Sequence, residues 1–414
     1  MNVKTVTRFG LSALALAITP AHAVELRFDG FATFVVGQML DDDELASDAQ
    51  GNLMPYRGFD DQINFQSNNV FAVQARADLG DGLTATAQIT AKGADDYDAK
   101  FSWAYFSYEL TPELTISAGQ MRIPYFFYSE TLDVGYSYPF VRPPFNTYDI
   151  GGFDNISGLK AEWQTDIGNW VSRVTMLAGR ADTTLEISQL PDPVKGQVSR
   201  LGLFAWSMNY DAFTVRAIYS HANLSMDLND YLDAVAFAPI SAVGINFSDD
   251  ARHGAYFKND SASFYGVAFN YDPGSYFVTL ESTALNLKNG FMQNPSEGTY
   301  LNAGVRIGKF TPYVTLEHVE SDYNEHGYRR LMAEVDSADL PQQFGPQLGP
   351  IVYSKVSSGL KQLFTSSLKE ENAYNVGVRY DFHPAAALKL EYMTSKTKTD
   401  LSPQAIAASV DVIF

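Results

Sequence analysis

The feature that most constrains this chain is an alternation of apolar and polar side chains with a period of two residues. In residues 83–92, LTATAQITAK, every odd position is apolar and every even position is polar. The same period recurs in residues 71–79, 374–382 and 406–414. Because successive side chains of a β-strand point to opposite faces, these segments predict strands with one apolar and one polar face. A soluble β-sandwich and a membrane β-barrel both fit this pattern.

The connections between the predicted strands favour the barrel. Tight turns that use Gly, Pro or Asp lie at 80–82, 111–113, 166–169, 211–212, 272–274, 308–309 and 383–384. Long polar loops lie near 40–62, 93–100, 124–155, 180–199, 222–261, 286–297, 320–371 and 396–404. Turns on one rim and long loops on the other are typical of outer-membrane barrels. Seven turns and eight loops in this list require sixteen strands.

The sequence therefore predicts an all-β fold, a transmembrane antiparallel β-barrel with 16 strands, formed by residues 24–414. The predicted strands are 25–38, 67–79, 83–92, 101–110, 114–123, 156–165, 170–179, 200–210, 213–222, 262–272, 275–286, 298–308, 310–319, 372–382, 386–395 and 405–414. A barrel of this size leaves a water-filled lumen. Aromatic residues where strands meet turns, such as Trp163, Trp170, Tyr210 and Phe213, predict a girdle at the membrane interface.

The first 23 residues have the pattern of a secretory signal peptide. Lys4 and Arg8 give a basic start, an apolar stretch covers residues 9–18, and small residues precede Val24. The apolar stretch is about half of the ~20 residues that a membrane-spanning helix needs. We therefore expect residues 1–23 to be removed on export.

Composition excludes several classes of function. The 414 residues include no cysteine, which rules out disulfides, thiolate metal sites and cysteine nucleophiles. There are 48 Asp and Glu against 29 Lys and Arg. Binding to nucleic acid requires clustered basic residues, so we expect no nucleic-acid partner.

Three segments resemble the general porins of Gram-negative outer membranes, and the likeness extends over the whole mature chain. They are VELRFDGF at 24–31, the terminal Phe414, and SAGQMRIP at 117–124 running into YSYPFVRPP at 136–144. The resemblance implies a homotrimer in outer-membrane lipid and lipopolysaccharide. It also implies that Phe414 is recognised by the barrel-assembly machinery, and that the third loop, 124–155, folds into the barrel to narrow it.

Charged residues on that loop and on the facing wall are the candidate selectivity residues. In porins of this kind, constriction-loop acids face wall bases and sort ions by charge. The resemblance places Glu130, Asp133, Arg122 and Arg142 at the constriction. Alternation predicts lumen-facing basic residues at Arg27, Arg76, Lys92, Lys160, Arg173, Arg216, Arg306, Arg379 and Lys389. Arg122 is ambiguous, because strict alternation from Ile116 turns it outward unless a bulge intervenes.

The sequence predicts a passive channel for ions and small hydrophilic solutes, with mild cation selectivity and no cofactor or metal. A substrate-specific channel and a barrel enzyme are the alternatives. The histidines after the signal segment stand in no known catalytic motif, and Ser220 beside His221 is not sufficient for catalysis.

Acidic residues at 41–44 and 370–371 are either solvated or hold divalent cations alongside lipopolysaccharide. The loops 222–261 and 320–371 are long enough to contain helices or to reach a partner.

Overall fold

A computed structural model describes residues 24–40, 56–148, 152–185, 193–291, 293–365, 368–398 and 401–414. The predicted signal peptide and the acidic residues 41–44 lie outside these ranges. The strands are β1 (Glu25–Met39), β2 (Val70–Asp78), β3 (Leu83–Lys92), β4 (Ala99–Thr111), β5 (Leu114–Arg122), β6 (Asn155–Ile167), β7 (Trp170–Leu185), β8 (Val194–Tyr210), β9 (Phe213–Met226), β10 (Asp260–Tyr271), β11 (Tyr276–Leu287), β12 (Gln293–Val305), β13 (Phe310–Tyr323), β14 (Glu370–His383), β15 (Ala386–Thr397) and β16 (Gln404–Ile413).

These sixteen strands form one closed antiparallel barrel, which confirms the predicted fold. Each strand pairs with its neighbours in the chain, and β1 pairs with β16. The junction is completed by Gly30 and Phe414, whose backbone N–H groups each donate to the other's carbonyl at 2.7 and 2.9 Å. Each of the sixteen described strands is therefore paired on both edges, as a lipid environment requires.

Most strand ends fall close to the predicted positions, but β7 extends to Leu185 and β8 begins at Val194, so most of the predicted loop 180–199 is strand. Two smaller differences have a local cause. β2 begins at Val70 rather than at 67, because the Asn69 side chain accepts the hydrogen bond of the Val35 N–H at 2.7 Å and so replaces a ladder bond. β12 ends at Val305, so Arg306 lies in the following turn and not in a strand. There, Arg306 bonds the Asp272 carboxylate of the neighbouring turn at 2.5 and 2.7 Å.

The two faces of the barrel wall show the reverse of a soluble fold. On β14, the outward side chain of Val376 is 58% exposed, whereas the inward Asn375 is 2% exposed. On β11, Leu280 is exposed while Thr279 and Glu281 are buried. Apolar side chains outside and polar side chains inside are the arrangement that a bilayer stabilises. This decides against the β-sandwich.

Aromatic rings form a belt on the outside of the rim with the short turns. Trp170 contacts Tyr210 with ring centroids 5.2 Å apart, and Phe213 contacts Tyr271 at 4.4 Å. Farther round, Phe310 stacks on Tyr380 at 4.6 Å. Aromatic rings with one apolar and one polar side favour the lipid–water interface. The belt includes Trp170, Tyr210 and Phe213, which the sequence predicted for it.

Among the described residues, α-helices occur only in the long loops 5 and 7 at the other rim, whereas the third loop contains two short 3-10 turns (Ser129–Thr131 and Gly135–Ser137). Loop 5 (residues 227–259) contains α1 (Asn229–Leu232), a π-helical turn (Asp233–Phe237), α2 (Ala238–Ser241) and α3 (Asp249–His253). Loop 7 (residues 324–369) contains α4 (Glu325–Ser337) and α5 (Leu340–Thr365), with a kink at Gly345. The two loops share one apolar core that includes Leu232, Phe237, Leu331 and Phe364.

In the described part of the chain, no helix combines the length and the apolar character needed to cross a membrane.

The inside–outside assignment can be tested on β7, where Met176 points outward and the adjacent Thr175 lines the lumen beside Glu162. We expect Met176→Arg to destabilise the barrel by roughly 2–4 kcal/mol, because it places a charge in the hydrocarbon region. Thr175→Arg should be tolerated, because lumenal water and the Glu162 carboxylate can solvate and pair with the new charge. Urea-dependent folding into lipid vesicles measures both. Equal destabilisation by the two variants would contradict the assignment.

Candidate pore constriction

Loop 3 (residues 123–154) lies against the inner face of the barrel and is held there by basic side chains of the wall. Lys389 of β15 donates to the carbonyls of Gly135 and Phe140 at 2.6 and 2.8 Å. Arg379 of β14 donates to the carbonyls of residues 136 and 138 at 2.6 and 3.1 Å. Arg216 of β9 donates to the carbonyls of residues 124 and 126. Three residues predicted as lumen bases therefore bind the loop backbone.

Acidic side chains of the wall bind the loop amides in the same way. Glu281 of β11 accepts from the N–H of Phe127 at 2.8 Å, and Glu317 of β13 accepts from the N–H of Thr147 at 2.7 Å. Glu391 of β15 accepts from the N–H of residue 141 at 3.4 Å. An irregular loop has no ladder partners, so its buried backbone groups need such side-chain partners. Wall charges of both signs thus fix the course of loop 3.

Aromatic residues of loop 3 add apolar contacts with the wall. Tyr125 and Phe126 pack on Phe264 of β10, with centroid separations of 4.9 and 5.5 Å. Tyr138 and Phe140 form a second buried cluster with Phe277 and Tyr313. Burial of several aromatic side chains contributes substantially to holding the loop in place.

The two predicted constriction acids differ sharply in their surroundings. Asp133 bonds Lys92 at 2.8 Å and also pairs with Arg122, and its side chain is almost fully buried. Burial raises the pKa of the Asp133 carboxyl, but Lys92 and Arg122 outweigh this and hold the pKa at about 2. Glu130 is instead exposed, in a cavity of about 200 Å³ that is also lined by Glu162, Arg173 and Arg216. Asp133 is thus neutralised locally, whereas Glu130 faces open lumen.

Arg122 points toward loop 3, which alternation alone left open. The β5–β6 register remains regular as far as the pair Arg122 and Asn155, so no bulge turns the side chain. Gly119, with φ of 137°, interrupts the extended backbone upstream, and Arg122 is the last residue of β5. From this position its guanidinium reaches Asp133, and it lies 3.6 Å from the Asp154 carboxylate.

A second cavity of about 370 Å³ lies on the β1–β3 side of loop 3. It is lined by Lys92, Asp133, Tyr138 and Arg142, among others. Arg142 donates to the backbone carbonyl of Arg57 at 2.7 Å, so it connects loop 3 to loop 1 (residues 40–69). Glu130 and Arg142 therefore face different cavities.

The remaining predicted lumen bases do not touch loop 3 through a hydrogen bond or ion pair in the described residues. Arg27 pairs with Asp29 at 2.9 Å, Lys160 pairs with Glu162 at 2.7 Å, and Arg173 bonds the Gln164 side chain at 2.8 Å. Within the same described part of the chain, Arg76 has no ion pair. Neighbouring carboxylates therefore offset the charges of Arg27 and Lys160, whereas Arg76 and Arg173 have no carboxylate partner among the described residues.

Phe414 lies on the outer surface and is 63% exposed. Its ring stacks on Phe71 of β2 at 6.1 Å and covers Gly30. The terminal ring is therefore accessible beside the strand junction that closes the barrel.

Sequence reasoning missed Arg57 of loop 1. Its side chain is buried inside the barrel and bonds Glu317 at 3.0 Å. It lies outside every strand pattern, and its partner is 260 residues away. No local signal marks such a residue.

Comparisons with known proteins agree with this architecture. A family model described as Gram-negative porin matches residues 10–401. No curated protein sequence matches.

Among solved structures, the chain is similar to Pseudomonas putida OprB, solved at high pH, at 10% identity, with 94% of each chain covered and a TM-score of 0.55. It is similar to an anion-selective porin from Comamonas acidovorans at 10% identity, covering 94% of this chain and 100% of that one, with a TM-score of 0.52. It is also similar to the trimer form of OmpT, an outer membrane protein of Vibrio cholerae, at 10% identity, 95% and 100% coverage and a TM-score of 0.50. These identities show the fold alone. The family match over nearly the whole chain shows that the protein belongs to the Gram-negative porins.

Proposed function

We propose that each barrel is a passive outer-membrane channel whose passage for ions and small hydrophilic solutes is narrowed by loop 3. The observation that carries this proposal is the placement of loop 3 across a polar lumen, with a cavity on either side. Reconstitution of the protein in planar bilayers tests it. Stepwise conductance increments that scale with bulk salt conductivity are expected, and an electrically silent barrel would reject the proposal.

A catalytic function has little support. Ser220 points into the lumen and is buried, whereas His221 is exposed on the opposite face of β9. Adjacent strand residues on opposite faces cannot act as nucleophile and base for one another. A substrate-specific channel would need a row of side chains that are free to bind the substrate. The bases that reach loop 3 are instead occupied by its backbone carbonyls and Asp133.

We propose mild cation selectivity, with Glu130 as the more influential constriction acid. The charge of Asp133 is offset by Lys92 and Arg122, so it contributes little net field. Glu130 has open lumen around it and acts over a Debye length of ~8 Å at physiological salt. Arg173 and Arg216 line the same cavity and oppose it, which keeps the preference small.

Reversal potentials in a salt gradient test this assignment. We expect Glu130→Gln to shift the reversal potential toward anions with little change in conductance, because an exposed charge is lost and the loop contacts remain. Glu325→Gln, at the exposed start of α4 in loop 7, removes the same charge outside loop 3 and should leave the reversal potential unchanged. An unchanged potential in Glu130→Gln would show that Glu130 does not line the path of the ions.

We also propose a homotrimer, assembled through a patch of small outward residues. Ala75 pairs with Ala87 and Ala77 pairs with Ala85 across β2 and β3, so four alanines form one flat area. Small residues allow close packing between barrels in lipid. The structure of the Vibrio cholerae protein carries the description trimer form, which supports the proposal by analogy of fold.

Ala87→Trp should yield monomers, because its bulk blocks close approach while its apolar character suits the membrane. Ala217→Trp, at an exposed outward position of β9, is the matched control and should remain oligomeric. Mobility of unheated samples in SDS gels, with light scattering in detergent, measures both. Trimers in the Ala87→Trp variant would place the interface elsewhere.

The biogenesis signals remain predictions. We propose that residues 1–23 are removed during export and that the exposed Phe414 is recognised by the barrel-assembly machinery. Contacts with lipopolysaccharide through the acidic residues 41–44 of loop 1 and 370–371 at the start of β14 are also proposed. One of these, Glu370, forms an ion pair with Lys398 at 2.8 Å.

A further inference from the structure

Loop 1 contributes a second segment to the interior of the barrel. Tyr56 and Phe59 exchange backbone hydrogen bonds of 2.8 and 3.0 Å, which closes a tight turn over residues 56–59. We call this turn the loop 1 tongue. Farther along, Asn64 pairs with Gly37 of β1 through bonds of 2.9 and 3.1 Å. The tongue therefore projects from a segment that is anchored to the first strand.

The barrel wall is shaped to receive the tongue. Phe59 is 1% exposed and lies directly over Gly37, where an added Cβ would come within 2.4 Å of the ring. Around it, the inner face is apolar instead of polar, with Val35, Met39, Met393, Ala405 and Ala407 in one buried cluster with Tyr56, Phe59 and Val141. Because Gly37 has no side chain, the Phe59 ring can pack directly on β1, as the close packing of protein interiors requires.

One buried carboxylate joins the tongue to loop 3. Arg57 donates to Oε2 of Glu317 at 3.0 Å, while Oε1 of Glu317 accepts from both the N–H and the hydroxyl of Thr147 at 2.7 and 2.9 Å. A second link runs from Arg142 of loop 3 to the Arg57 carbonyl at 2.7 Å. Three strands, β14 to β16, separate β13 from β1 in the wall. The tongue thus bridges this sector of the lumen.

The Arg57–Glu317 pair fits a role in specifying position. Both side chains are buried, at 4% and 1% exposure. A buried ion pair gains little net stability, because desolvation offsets the attraction, yet loss of one partner leaves an unpaired buried charge. Movement of the tongue away from the wall therefore costs free energy, because it separates Arg57 from Glu317 and leaves a buried charge without its partner.

We infer that this porin has two constriction elements, loop 3 and the loop 1 tongue, and that Arg57 is the positioning residue that holds the tongue in the lumen. The inference rests on the proposed channel function. It follows that the tongue sets pore width on the side of β1, β15 and β16, where loop 3 meets it at Val141.

Removal of the tongue from the lumen should widen the channel. Gly37→Val places methyl groups where Phe59 packs, in a strand position that favours valine. Arg57→Met removes the link to Glu317, and Phe59→Ala empties the same space without stress on β1. We expect each variant to show higher single-channel conductance than the wild type and to admit larger neutral sugars in liposome-swelling assays. Arg57→Lys keeps the charge and should restore conductance toward the wild-type value.

Gly202→Val is the matched control, because this strand glycine has open space where a Cβ would lie. It should conduct as the wild type does. Combination of Gly37→Val with Arg57→Met should add little to either change, since both displace the same segment. Heat-modifiable gel mobility shows which variants have folded.

The outcomes separate two failures. A wild-type protein without conductance rejects the proposed channel. A conducting wild type whose folded Gly37→Val, Arg57→Met and Phe59→Ala variants keep its conductance and sugar cut-off overturns the inference about loop 1.

Discussion

The rest of this structure depends on the need to pair every backbone polar group in a medium without water. Within a bilayer this leaves a strand no option but a closed sheet, and the mutual bonds of Gly30 and Phe414 complete that closure. Sixteen strands then enclose a lumen much wider than a small solute. The same hydrocarbon medium requires an apolar outer face, and the width of the lumen leaves room for loops inside the barrel.

Inside the lumen, the same requirement explains why so many charges line the wall. Loop 3 has no ladder partners, so its carbonyls bind Arg216, Arg379 and Lys389, and its amides bind Glu281 and Glu317. Such bonds to charged groups are stronger than neutral ones. Some wall charges therefore hold loop 3 in place, and we propose that the others, together with Glu130, determine the field that a permeating ion meets.

The strands were predictable from sequence because their determinants are local. Alternation fixes which face each residue takes, and turns such as Asp211-Ala212 fix where the chain reverses. The contacts inside the barrel were harder to predict from sequence. Lys389 meets Gly135 across 254 residues of sequence, and Arg57 meets Glu317 across 260. No local sequence pattern around Arg57 indicates its partner. Alternation does not predict the direction of the Arg122 side chain, because Arg122 is the last residue of its strand. Sequence indicates the helices of loops 5 and 7 only as one possibility, because these helices are stabilised by packing on one another.

We conclude that wall charges hold loop 3 rigidly across the lumen. Hydrogen–deuterium exchange of the folded barrel in detergent tests it most directly, since amides such as those of Phe127 and Thr147 are bonded to buried carboxylates. We predict that peptides covering residues 125–148 exchange nearly as slowly as the strands and far more slowly than the short loop at 94–98. Exchange of the loop 3 peptides as fast as that of the short loop would contradict it.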